Sequence, residues 1–221
     1  MMINIIYEDV SAYENKELFY ELYSKMPDYR KSRTDSLKLD KDKRLSLGAG
    51  VLLCRALEAA GFDGSKLNIS CGEHGKPYFP EISDKFQFSL SHSGNMAMCA
   101  FLYSDDGKAV PVGCDIEFVR KTDLKIAKRF FAPEEYESII SVSDENERTD
   151  LFFRYWTLKE SYIKLTGKGL STPLDEFVIF RDEKDEIRVR QNGKIENLIF
   201  GEEVPHEGYR ASWCAKAKRE L

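Results

Sequence analysis

Two stretches organise this chain: Val112-Gly-Cys-Asp-Ile-Glu117 and, further along, Trp156-Thr-Leu-Lys-Glu-Ser-Tyr-Ile-Lys164. The first belongs to a strand predicted over 110–118. Side chains alternate between faces on a strand, so Asp115 and Glu117 point the same way. Two adjacent carboxylates repel each other unless a cation, a basic side chain or solvent compensates, and Mg²⁺ with oxygen ligands compensates well. Gly113 lets another backbone or a ligand approach closely. The competing reading of this pair is the solvent-facing polar side of an edge strand. The second stretch lies in a helix predicted over 149–166, where Trp156, Glu160 and Lys164 form one stripe at i, i+4, i+8 with Lys159 beside it. A carboxylate between two lysines would complete a metal site while the lysines hold phosphate oxygens. An exposed Glu→Lys pair is the competing reading, and Trp156 argues against it by marking this face as partly buried.

Outward from these motifs, the pattern predicts strands at 3–7, 67–71, 86–90 and 96–103, and helices at 15–25 and 45–60. Residues 28–44, rich in Lys, Arg and Asp, read as a loop or helix with solvated charges. Beyond the Ser104–Lys108 turn, helices are predicted at 123–131 and 133–142, a charged connection at 143–148, and strands at 177–180, 187–190, 195–200 and 209–215. Helix followed by strands thus occurs twice. His92-Ser-Gly-Asn-Met-Ala and His206-Glu-Gly-Tyr-Arg-Ala share a His-x-Gly-x-x-Ala pattern, which supports a pair of α+β halves, 1–106 and 107–221.

Hydrophobic residues make up 42% of the 221 and charged residues 32%, the balance of a globular protein with a core to bury. The net charge of −5 disfavours a nucleic-acid partner. The opening MMINIIYEDV has no basic n-region and reads as no secretory signal. The longest apolar helix candidate carries Arg55 and Glu58 and is too short to span a bilayer. A cytosolic protein without a membrane partner is expected. Five cysteines without a CxxC pair, and three histidines without ligand spacing, signal neither a disulfide framework nor zinc.

Upstream, Gly75-Lys-Pro77 fixes a tight backbone from which Lys76 would reach a phosphate. Ser91-His-Ser-Gly94 offers hydroxyls, an imidazole and N–H groups suited to an anion, or simply closes a hairpin. Arg44 opens the first long helix and is either a phosphate grip or a solvated charge. Neither a G-x-x-x-x-G-K-[ST] loop nor a G-x-G-x-x-G turn is present, so the common nucleotide scaffolds are not used.

Taken together, these pieces resemble the 4′-phosphopantetheinyl transferases of the surfactin-synthetase-activating type. Gly113-Cys-Asp-Ile-Glu117 is similar to that family's G-[IV]-D-[IV]-E strand, and Trp156–Lys164 to its W-x-x-K-E-x-x-x-K helix. Gly75-Lys-Pro77, Ser91-His-Ser-Gly94, Lys128-Arg-Phe-Phe-Ala-Pro-Glu134 and Gly167-Lys-Gly-Leu170 resemble further family motifs in the right order. The resemblance implies two similar halves related by a pseudo-twofold axis, each an antiparallel sheet on a long helix, with the active site between them and a monomer as the working form. It implies transfer of phosphopantetheine from coenzyme A to a serine of an apo acyl or peptidyl carrier protein, releasing 3′,5′-adenosine bisphosphate. Asp115, Glu117 and Glu160 would hold Mg²⁺, with Mn²⁺ as a substitute. Lys164 would contact the coenzyme A diphosphate. Arg44, Lys76, Pro77, Ser91 and His92 would hold the 3′-phosphoadenosine, with Lys159 beside the phosphates. Cys114 replaces the usual Ile or Val, and Arg30, Lys31 and Arg33 do not align with the family's coenzyme-contacting lysines.

On this reading Asp115, Glu160 and Lys164 carry the chemistry, with Glu160 as the base for the serine hydroxyl. The basic run Arg120, Lys121, Lys125, Lys128 and Arg129 would meet an acidic carrier. Two rivals remain: a transferase acting on a small acceptor, separated by whether a carrier is required, and a non-catalytic coenzyme-binding module, separated by binding without turnover.

Overall fold

The computed structural model describes residues 3–217. They divide into two compact units. One comprises Met1–Gly72 with Pro77–Val110, and the other Glu73–Lys76 with Pro111–Leu221. Both combine helices with antiparallel sheets, so the fold is α+β.

In the first unit the elements are β1 (Asn4–Asp9), α1 (Lys16–Ser24), α2 (Asp28–Asp35), α3 (Asp40–Ala59), β2 (Ser70–Cys71), β3 (Pro77–Tyr78), β4 (Phe86–Ser93) and β5 (Met96–Tyr103). The main sheet runs β1-β5-β4, all antiparallel. Helix α3 lays Leu52, Leu53, Ala56 and Leu57 against Phe86, Phe88, Ala97, Cys99 and Phe101. The helix begins five residues before the predicted Leu45, because Asp40 and Asp42 sit in its first turn, where the positive end of the helix dipole favours them. The preceding basic stretch is also partly helical, as α2, and it is not uniformly solvated. Arg30 is only 9% exposed and donates from Nη2 to the Ser46 carbonyl at 2.5 Å.

The second unit holds β6 (Val112–Phe118), α4 (Lys125–Phe130), α5 (Pro133–Ser141), α6 (Glu145–Thr166), β7 (Phe177–Arg181), β8 (Ile187–Gln191), β9 (Lys194–Ile195), β10 (Leu198–Glu203) and β11 (Tyr209–Lys216). Its main sheet runs β10-β11-β6 and a smaller one β7-β8-β9. Connectivity repeats that of the first unit: a strand, a long helix, then a hairpin whose second strand pairs with the first. The two His-x-Gly-x-x-Ala echoes fall at matching places, the turns entering β5 and β11, where Gly94 and Gly208 both have positive φ.

Helix α6 starts at Glu145, inside the segment expected to be a connection. Asp144 caps it, its Oδ1 accepting from the Asn146 and Glu147 N–H groups at 2.9 Å each. Gly167, at φ 69°, ends it in the left-handed conformation that glycine adopts without strain. Phe152, Leu158, Tyr162, Ile163 and Leu165 all belong to one buried cluster with Phe131, Ile139, Phe177 and Val189. No helix among the described residues is long and apolar enough to cross a membrane.

Candidate active site

Strand β6 meets α6 through a glycine. A Cβ built on Gly113 would lie 1.9 Å from the Ser161 carbonyl oxygen and 2.4 Å from the Leu165 nitrogen. Only a residue without a side chain lets this strand approach the helix so closely. Alternation then turns Asp115 and Glu117 to the same face as Gly113. Register places Ser212 of β11 opposite Asp115 and Arg210 opposite Glu117. The Ser212 hydroxyl is 2.8 Å from that of Thr157, a second tie between sheet and helix.

On that helix face, Lys164 Nζ donates to Asp115 Oδ1 at 2.7 Å. Asp115 is 4% exposed. Burial is the largest single influence on the Lys164 charge and works against it, but the attraction and hydrogen bond of Asp115, together with Cys114 and Glu160, hold the pKa above its ordinary value. Glu160 lies one turn earlier. Burial, with the like charges of Asp115 and Glu117 added and Lys164 opposing, pushes its carboxyl up to about 7. Three carboxylates within electrostatic reach of one another make ionising all of them costly.

Asp115, Glu117, Glu160 and Lys164 are therefore brought together. Among the described residues, however, no three His, Cys, Asp or Glu side chains are gathered closely enough to hold a metal ion. The Lys164 ammonium, not a closed ring of carboxylates, meets Asp115. The donor chemistry still fits a hard divalent cation. All the groups are carboxylate oxygens, the donors such an ion takes, and the like charges of Asp115 and Glu117 add to burial in raising the Glu160 pKa.

Lys159 departs from expectation. It is fully buried, and its ammonium donates to the Leu174 and Phe177 carbonyls at 2.8 Å each and pairs with Glu135 at 2.8 Å. The Phe177 ring centroid lies 4.1 Å away. At about 100° per residue, the next position on a helix faces elsewhere, so a lysine adjacent in sequence to Glu160 points into the core rather than towards a phosphate. The residue that sequence reading missed is Glu135. Its Oε2 also accepts from the Ala132 N–H and its Oε1 from that of Ile179. The visible signal was a Glu three residues after Ala132, the residue that caps α5, the spacing of the glutamate in a capping box.

Lys76 belongs to the second unit and donates to the Val112 carbonyl at 2.9 Å and the Leu165 carbonyl at 3.3 Å. Its burial lowers the pKa to about 8. In place of an ammonium reaching outward, it ties the start of β6 to the end of α6. Arg44, Pro77, Ser91 and His92 lie in the first unit. Arg44 approaches Glu14 at 3.3 Å beside a cavity of about 300 Å³ that Tyr13, Phe19 and Tyr23 also line. Pro77 pairs with Cys71, buried Ser91 with Met98, and exposed His92 with Ala97. Cys114 is fully buried.

A sequence profile of the 4′-phosphopantetheinyl transferase superfamily matches residues 111–215, the stretch holding β6 and α6. The chain is 41% identical over 161 residues to 4′-phosphopantetheinyl transferase Sfp of Bacillus subtilis, covering 69% of this chain and 65% of that protein. It is 35% identical over 172 residues to another 4′-phosphopantetheinyl transferase of Bacillus subtilis, covering 78% and 73%. The chain thus spans just under two thirds of the first of these relatives and somewhat more of the second. A crystal structure of Thermotoga maritima holo-[acyl-carrier-protein] synthase aligns with a TM-score of 0.41 at 18% identity, over 50% of this chain and 64% of that one. On the strength of these sequence matches, the chain belongs to the 4′-phosphopantetheinyl transferase family.

Proposed function

We propose that this protein transfers the 4′-phosphopantetheine group of coenzyme A to a serine hydroxyl of an apo acyl or peptidyl carrier protein. The observation that carries the reading is the convergence of Asp115, Glu117, Glu160 and Lys164 where β6 packs on α6. The serine oxygen attacks the β-phosphorus, the bond to the bridging oxygen breaks, and 3′,5′-adenosine bisphosphate leaves. Such a transfer asks the protein mainly for positioning and charge neutralisation. Glu160, placed beside Asp115 and Lys164, is the candidate to take the serine proton, directly or through a water. Lys164 brings positive charge to the bridging oxygen that leaves on the α-phosphate. Asp115, Glu117 and Glu160 would hold Mg²⁺, which when bound draws charge from the phosphate oxygens. Arg44, Pro77, Ser91 and His92 are the candidates for the 3′-phosphoadenosine. Lys76 and Lys159 are withdrawn from direct phosphate contact, since both ammonium groups are committed to backbone carbonyls.

The carrier would dock on the surface of α4 and the segment before it. Arg120, Lys121, Lys125, Lys128 and Arg129 are exposed there together with Phe118, Ile126 and Phe130. That mix of cations and apolar side chains suits an acidic helical partner. The enzyme is taken to work as a monomer in the cytosol.

Release of 3′,5′-adenosine bisphosphate from coenzyme A, followed chromatographically with and without an apo carrier, tests the reading. It predicts release only when the carrier is present. Release with a small acceptor alone would favour the small-molecule transferase, and coenzyme binding without release the non-catalytic module.

A further inference from the structure

The buried ion pair of Lys159 and Glu135 lies outside the cluster just described, yet its lysine is the residue next to Glu160. Both side chains are almost fully enclosed, at 0% and 1% exposure. Their polar atoms are fully used. The ammonium has three acceptors: Glu135 Oε2, the Leu174 carbonyl and the Phe177 carbonyl. The carboxylate accepts from Lys159 and from the N–H groups of Ala132 at 2.9 Å and Ile179 at 2.7 Å. One node therefore fastens α6 to the start of α5, to the segment following Gly167, and to β7. Apolar packing can hold a helix in place yet permit it to rotate slightly, whereas a satisfied buried network fixes one arrangement. The opposite side of α6 presents Glu160 and Lys164 to Asp115, and a small rotation about the helix axis would carry both away from β6.

We propose that Lys159 is a positioning residue, which through Glu135 sets the rotation of α6 and so the placement of Glu160 and Lys164 against β6. This rests on the transferase reading above and adds that the lysine of the W-x-x-K-E motif acts without touching the substrate.

The test compares wild-type enzyme with Lys159→Met, Glu135→Gln and the double variant. Each is measured for kcat, KM for coenzyme A, thermal midpoint and amide hydrogen exchange. Removing one partner strands a buried charge, and removing both relieves that penalty. Both single variants are expected to lose thermal stability and the double variant to regain most of it. Because displacement of about 1 Å costs roughly 100-fold in rate, kcat should fall to that extent in Lys159→Met and stay low in the double variant, with KM unchanged. Exchange should quicken together in the amides of 158–164 and 174–179. A raised KM with kcat retained would mean that Lys159 contacts the phosphates. A double variant regaining kcat along with its thermal midpoint would reduce the pair to a stabilising role. Either result overturns the proposal, as does unaltered activity in all the variants. If the wild type transfers nothing to any carrier, the proposed function fails instead. The exchange pattern then still decides the positioning claim, and unchanged exchange at 158–164 refutes it.

Discussion

Replacing Gly113 with alanine adds one methyl group at the tightest contact in the site. An unforced carbon–oxygen approach needs about 3.3 Å, against the 1.9 Å available to the new Cβ at the Ser161 carbonyl. Helix α6 or strand β6 would therefore have to retreat by about 1.4 Å. The colliding atoms are backbone, so no rotamer change relieves them, and the cost belongs at the upper end of the overpacking range, about 3 kcal/mol. In a protein of this size that lowers the thermal midpoint by roughly 6–12 °C. The same retreat separates Lys164 from Asp115, now 2.7 Å apart, and moves Glu160. Loss of activity should thus exceed loss of folded protein. Urea denaturation gives the first quantity, and initial rates of carrier modification at a temperature where the variant is fully folded give the second. A Gly113→Ala enzyme with wild-type stability and rate would refute the packing account of this motif.

Glu160→Gln should reduce kcat by about 10²–10⁴-fold while coenzyme A still binds in calorimetry; near-normal turnover would remove Glu160 as the base. Lys76 supplies a pH signature. Its pKa is about 8 in the fold against 10.5 for a free lysine, so between those values the unfolded chain binds the extra proton and stability rises with pH. Wild-type stability relative to Lys76→Met should accordingly climb by about 3 kcal/mol from pH 8 to 10.5, and a pH-independent difference would contradict the assignment. Charge reversal at Lys125 and Lys128 should raise KM for an acidic carrier and weaken the salt dependence of the rate, with KM for coenzyme A unchanged. An unaltered carrier KM would move docking elsewhere.

The carboxylate strand and the lysine–glutamate helix were readable because their logic is local. Period two puts Asp115 and Glu117 on one face, period 3.6 puts Trp156, Glu160 and Lys164 on one stripe, and a glycine marks the close approach. The repeated connectivity was visible as a doubled helix-then-strands order and two short echoes, but which strands pair was not, since pairing lies in strand order and not in side chains. What escaped were features that depend on distant partners. Lys159 reads like any charged helix residue until Glu135, 24 positions earlier, is seen enclosed with it. Lys76 reads as an exposed cation because the Val112 and Leu165 carbonyls that it bonds are far along the chain. Arg30 looked solvated in a basic run, yet it is buried against the Ser46 carbonyl. The start of α6 was missed for a local reason. Its first turn, Glu145-Asn-Glu-Arg148, has no apolar residue to announce a helix, and the signal was the Asp144 cap.

Intact-mass spectrometry of an apo carrier protein, incubated with coenzyme A, Mg²⁺ and either wild-type enzyme or Asp115→Ala, tests the central claim most directly. The account predicts a mass gain of one phosphopantetheine on the carrier with the wild type, abolished by EDTA and by Asp115→Ala. No gain on fatty-acid, polyketide or peptidyl carriers with folded wild-type enzyme, or an equal gain with Asp115→Ala, would contradict it.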